Sequence, residues 1–125
     1  MKYILALDQS TSASKAFLVD GRGEIVRRAS LPHRQYYPGD GLAEHDPEEI
    51  YRNVMTVLDQ AAGDTPLSEI AALAISNQRE TVVLWDRRTG KSVCPAIVWQ
   101  DVRGRDVCAR LAGQAERILQ TTGLG

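Results

Sequence analysis

Residues 3–20 read YILALDQSTSASKAFLVD, and the fold follows from how this stretch divides. An apolar run, Ile4 to Leu7, meets Asp8 and Gln9. Hydroxyl side chains follow at Ser10, Thr11, Ser12 and Ser14, then Lys15, then a second apolar run from Ala16 to Val19. Two short strands joined by a tight polar turn fit this pattern better than a helix does. Asp8 then ends a buried strand beside several backbone N–H groups, hydroxyls and a cation. Such a turn can hold a polyphosphate, with N–H and O–H donors on its oxygens and Lys15 offsetting charge. Asp8 would hold Mg²⁺ through water, because a small hard cation keeps part of its hydration shell. The same residues equally suit a hairpin turn that binds nothing.

Outward from this hairpin, Asp20-Gly21-Arg22-Gly23 is a turn signal, and Glu24 to Leu31 returns as a third strand of a meander. Pro32 to Asp46 is irregular. A helix then starts at a marked point: Asp46 caps, Pro47 suits the first turn, and Glu49 falls where a capping-box acid reaches back. Ile50, Val54, Val57, Leu58 and Ala61 share one face of it, and Gly63 ends it. Ile70 to Ile75, IAALAI, is apolar without alternation and reads as a central strand buried on both faces. Further strands are expected over Thr81 to Trp85 and Val93 to Trp99, with Pro95 favouring an edge. Asp101 can cap a helix containing Val102, Val107, Cys108 and Leu111, and a shorter helix follows over Gln114 to Gln120. The expected class is α/β, a mixed sheet with flanking helices.

Composition narrows the function. The chain has 125 residues and a formal net charge of −1, with acidic and basic residues interspersed. That balance gives no electrostatic case for nucleic acid or an anionic membrane. No apolar stretch approaches the length of a membrane span. The start MKYILALDQ lacks a signal peptide's longer apolar region. Cys94 and Cys108 sit in no metal-ligand spacing, so reduced thiols and a cytoplasmic location are expected.

Three polar clusters end strands: Asp8 with its turn, Asn77 to Glu80, and Trp99 to Arg103. Ligands collect at the carboxyl ends of strands in open α/β sheets. Arg79 is donor-only and Glu80 acceptor-only, a pair suited to a polyol whose hydroxyls donate and accept at once. Trp99 can wall the carbon face of such a ligand. A solvated loop pair and plain core packing account for the same residues. His33 and His45 read as structural or exposed, and Asp101 as a cap rather than a catalytic group.

ALDQSTSASKAFLVD, GLAEHDPEEIY, ISNQRETVVLWDRRTGK and AIVWQDVRG occur in the order and spacing of a known group. The chain resembles the FGGY carbohydrate kinases over essentially its whole length, and NQRET and IVWQ point to the members that phosphorylate glycerol. The resemblance implies an actin-like, ribonuclease-H-like ATPase domain, with ATP and Mg²⁺ as cofactors and a polyol or sugar as substrate. It implies that Asp8 is the magnesium-associated aspartate and that Thr11, Ser12 and Ala13 contact phosphate with Lys15 beside them. Arg79 and Glu80 match glycerol-binding residues, and Trp99 the tryptophan against the substrate's carbon chain. Glycerol-phosphorylating members usually read DQGTTSSR, where this chain has Ser10 for the glycine, Ala13 for a serine and Lys15 for the arginine. Ser10 gives up glycine's freedom for positive φ, and Lys15 the planar fork of arginine.

Members of the family are several times longer. Residues 1–125 are therefore expected to form the N-terminal part of the first domain, incomplete at its C-terminal end. The general-base aspartate and the second domain would follow Gly125, so no catalytic residue is assigned within the chain. A homo-oligomer remains open for a full-length enzyme. The alternatives are a kinase for a xylulose- or erythritol-like substrate, or a non-catalytic polyol-binding fragment.

Overall fold

The computed structural model describes residues 2–124. Strands β1 (Tyr3–Gln9), β2 (Ala13–Val19) and β3 (Ile25–Pro32) form the expected antiparallel meander. Later come β4 (Glu44–His45), helix α1 (Pro47–Ala62), β5 (Ile70–Asn77), β6 (Ala96–Ile97), α2 (Arg105–Leu111) and α3 (Ala115–Thr122). The main sheet runs β3-β2-β1-β5, with β5 parallel to β1, while β4 and β6 pair separately.

Strand alternation decides which face is buried. Leu5 and Leu7 of β1 lie opposite Leu18 and Ala16 of β2, and these join Val57 and Ala61 of α1 in the core. Val54 and Leu58 pack at its margin, completing the helical stripe. Asp46 caps α1 by accepting from the Glu48 amide at 2.9 Å. Glu49 makes no capping box: its carboxylate accepts the Arg34 amide at 3.1 Å, tying the helix to the preceding loop. At the other end Gly63 closes the helix at φ 54°, where a Cβ would run into the Arg27 guanidinium. That guanidinium donates to the Ala62 and Ala61 carbonyls and pairs with Asp64 at 3.0 Å, so a cation from β3 completes the helix's negative end.

The structure corrects three expectations. Residues 70–75 do join the sheet, but as an edge strand, with Leu73 50% and Ile75 64% exposed. Helix α1 packs across β1, β2 and β3, and Ile70 of β5 packs against that core, while Ala71 to Ile75 are exposed. Thr81 to Trp85 and Val93 to Trp99 are not strands of the sheet. They form a separate ribbon, joined by mutual Val82 and Ile97 hydrogen bonds of 2.9 and 3.0 Å and by Val93 N–H to Leu84 O at 3.0 Å. Only Ala96–Ile97 gains a ladder, against β4. Finally, Asp101 caps no helix, since α2 starts at Arg105 after Gly104. No helix among the described residues is long and apolar enough to cross a membrane.

The burial pattern sets up a paired test. Val57→Ala, at a fully buried site, is expected to lower stability by about 2 kcal/mol. Leu73→Ala on the uncovered strand should stay within about 0.5 kcal/mol. Urea unfolding of both variants measures the difference, and equal losses would contradict the exposed β5.

Candidate functional site

Residues 10–13 close the β1–β2 hairpin. The Ser10 amide and hydroxyl both donate to the Ala13 carbonyl at 2.9 Å. The turn needs no glycine, because Glu80 is the one non-glycine residue at positive φ among the described residues. The turn's own carbonyls are occupied. Ser10 O accepts from Gln9 Nε2 at 2.8 Å, and Ser12 O from the His33 amide at 3.2 Å. Thr11 O accepts from His33 Nε2 at 2.8 Å and Gln35 Nε2 at 2.9 Å. None of these bonds uses the Thr11 or Ser12 amide, which leaves two donors at the tip for an anion.

The β1–β5 register places Gln9 opposite Asn77, and the Gln78 amide donates to Gln9 O at 2.7 Å. The NQRE segment therefore follows β5 directly past the turn. A cleft of about 410 Å³ results, lined by Thr11, Asn77, Gln78, Arg79, Glu80 and Trp99. Trp99 reaches it from the ribbon. Its indole N–H donates to the Thr11 hydroxyl at 3.0 Å, and its side chain is 52% exposed, so it is a cleft wall and not core packing. Glu80 sits at φ 66°, a conformation costing a non-glycine residue about 1 kcal/mol or more. Strain of this kind concentrates at binding sites.

The remaining candidates lie elsewhere. Asp8 and Lys15 are cross-strand partners on the sheet face opposite α1, with Ser76 and Ser30 as their lateral neighbours. Lys15 lines a shallow groove with Phe17, Arg28, Ala29 and Ser30 and does not line the Trp99 cleft. Ser12 is exposed at the tip, while Ala13 is buried at its base. Among the described residues, no three His, Cys, Asp or Glu side chains are grouped to cage a metal.

Residues 3–125 match the profile of the FGGY family of carbohydrate kinases, N-terminal domain. The chain belongs to this family. It is 49% identical over 127 residues to the glycerol kinase of Parabacteroides distasonis, covering 98% of this chain and 26% of that one. Among solved structures it is similar to Plasmodium falciparum glycerol kinase with ADP (TM-score 0.78, 36% identity, 90% of this chain and 23% of that one). It is also similar to the xylulose kinase of Rhodospirillum rubrum (TM-score 0.84, 29% identity, 94% and 25%). The chain spans about a quarter of the length of the curated relatives it matches.

In this FGGY domain the segment carrying Trp99 is anchored by Asp101. The Asp101 carboxylate accepts the Ala43 amide at 2.8 Å and a fork from Arg103, Nε to Oδ1 and Nη2 to Oδ2, both at 2.8 Å. Arg103 also reaches Glu44 at 2.7 Å. The Arg103 hydrogen bonds, aided by the Ala43 amide, hold the Asp101 carboxyl well below the ordinary carboxylate range. Sequence reasoning missed this role because one partner, the Ala43 amide, comes from the distant loop before β4, and the Arg103 fork forms within the same loop as Asp101. It also missed Gln9 and Gln78, which bond each other at 3.3 Å, and the His33–Gln35–His45 group behind the turn. A glutamine on the core face of β1 was the available signal for the first.

A depressed folded pKa means stability present above the unfolded value of 3.8 and lost as pH falls through the folded value. Wild type should therefore lose more stability than Asp101→Asn as the solution is acidified below that unfolded value. Thermal midpoints across an acid series test this, and parallel curves would remove Asp101 as the anchor.

Proposed function

We propose that residues 1–125 serve as the N-terminal part of an ATP-dependent kinase that phosphorylates a small polyol, with glycerol the preferred acceptor. The Trp99–Thr11 hydrogen bond carries the reading, because it sets the acceptor cleft directly against the turn with free amides. Arg79 would donate to acceptor hydroxyls, Glu80 would accept from them, and the Trp99 ring would shield the carbon chain. The Thr11 and Ser12 amides would meet the nucleotide's terminal phosphates, and charge developing on those oxygens would find fixed donors. Lys15 would act on the phosphates from the far sheet face, as a point charge. The Asp8 carboxylate lies between Lys15 and Ser76, and among the described residues no group of three ligating side chains surrounds it, so it suits Mg²⁺ that keeps its waters. Bound there, the metal would neutralise phosphate charge. The exposed free thiols Cys94 and Cys108 suit the reducing cytoplasm.

A five-carbon sugar acceptor is the second reading, supported by the likeness to a xylulose kinase at 29% identity. Coupled ADP release over glycerol, erythritol and xylulose separates the two. The assay uses this chain joined to the remainder of the Parabacteroides distasonis glycerol kinase, beside the 125-residue chain itself. Glycerol turnover by the joined protein, with none from the chain alone, is the expected result. Xylulose as best substrate would transfer support to the second reading, and no turnover on any acceptor would reject both.

In the same joined protein, Glu80→Ala should raise the KM for glycerol by about 10- to 100-fold, the worth of a hydrogen bond to a charged group. The KM for ATP should change by less than about twofold. Equal changes in both would remove Glu80 from the acceptor site.

A further inference from the structure

Behind the turn lies a polar core that the sequence reading passed over. His33 and His45 are 6% and 1% exposed, although most of the residues around them, from 32 to 42, are open to solvent. Their rings meet edge to face with centroids 4.9 Å apart. His45 Nε2 lies 2.7 Å from Gln35 Oε1, which can only accept, so that nitrogen carries the proton. Gln35 Nε2 in turn donates to Thr11 O and, at 3.3 Å, to His33 O. His33 Nε2 faces Thr11 O at 2.8 Å and must also donate. Two of these donors, His33 Nε2–H and Gln35 Nε2–H, converge on the Thr11 carbonyl oxygen. Neither Nδ1 has a hydrogen-bond partner among the described residues. Each ring therefore carries a hydrogen on Nε2. A second proton on His45 would be buried without an acceptor, and burial, then the neighbouring His33, push the His45 pKa down against a smaller upward pull from Glu49.

We infer that His33, Gln35 and His45 are positioning residues for phosphate binding. They hold the Thr11 carbonyl inward, and in a trans peptide the N–H of the same plane, that of Ser12, then points outward. Because the peptide unit is planar, rotation of the Thr11–Ser12 unit would move the Ser12 amide together with the Thr11 carbonyl. This role rests on the reading of the turn as a phosphate site given above. Its substrate class is the terminal phosphates of a nucleoside triphosphate, and its effect is on their binding rather than on the polyol.

The test compares Gln35→Leu, His33→Phe and His33→Gln in the joined kinase, with ATP and glycerol varied separately. Losing a carbonyl donor in either of the first two variants should raise the KM for ATP by about tenfold. The KM for glycerol should stay within about twofold, and His33→Gln, which keeps an N–H donor, should recover most of the ATP affinity. An active wild type with unchanged ATP KM in both donor-deleted variants overturns the positioning role alone. So do parallel rises in both KM values accompanied by a fall in thermal midpoint, which is what a purely structural role gives. A wild-type protein with no turnover overturns the phosphate reading, and this role falls with it. Should the variants not fold, the imidazole nitrogens of the wild-type chain decide: ¹⁵N spectra should show a hydrogen on Nε2 of both rings. A ring with its hydrogen on Nδ1 and none on Nε2, at either position, would overturn the positioning role.

Discussion

The parallel pairing of β1 with β5 is the constraint on which the cleft depends. Two segments distant in sequence are brought together by it, the hydroxyl turn and the NQRE loop, and their relative position is set by strand register. An irregularity between Tyr3 and Ile4 shifts that register so that Ile4 faces Ala72 and, at the far end, Gln9 faces Asn77. A slip of one residue would move Arg79 and Glu80 by about 3.3 Å along the strand and turn every β5 side chain to the other face. The Gln9–Gln78 contacts at the end of the ladder fix the register where the site needs it. A buried glutamine on an otherwise apolar strand face is thus explained by the loop it holds.

What could be read directly from the sequence was local. The meander was visible because β1 and β2 are short apolar runs around a polar turn and Gly21 and Gly23 mark the next one. Helix α1 was visible because Asp46, Pro47 and Gly63 mark its ends and its apolar stripe keeps helical spacing. Arg79, Glu80 and Trp99 were singled out by residue chemistry and by resemblance, and they line one cleft with Thr11. What failed needed knowledge of partners far away in the chain. IAALAI states that residues 70–75 favour burial, but not which element would cover them. The acid at Asp101 looks like a cap until the distant Ala43 amide is placed against it. Lys15 follows the turn, and strand alternation sets it beside Asp8 on the sheet face opposite α1.

The domain has two kinds of interior. Beneath α1 the packing is aliphatic, with Leu5, Leu7, Ala16, Leu18, Val57 and Ala61 filling the space between helix and sheet. Behind the hairpin turn the interior is polar, and it is ordered by direction rather than by volume. A methyl group can be lost from the first at the cost of a cavity. In the second, a lost donor removes one of the two hydrogen bonds that orient the Thr11 carbonyl. The second interior lies against the turn, and Thr11 itself lines the cleft.

The sheet's connectivity carries a consequence for assembly. β1, β2 and β3 are joined by short turns and can pair as soon as they are formed, whereas Tyr3 must wait for Ile70 to pair with β5. Closing a loop costs entropy that grows by about 0.6 kcal/mol for each doubling of its length, and it is recovered only after the distant contacts are made. The meander and α1 depend on contacts nearer in sequence, and docking of β5 is the long-range step. The cleft needs that step, because Asn77 to Glu80 reach Thr11 only through the β1–β5 pairing.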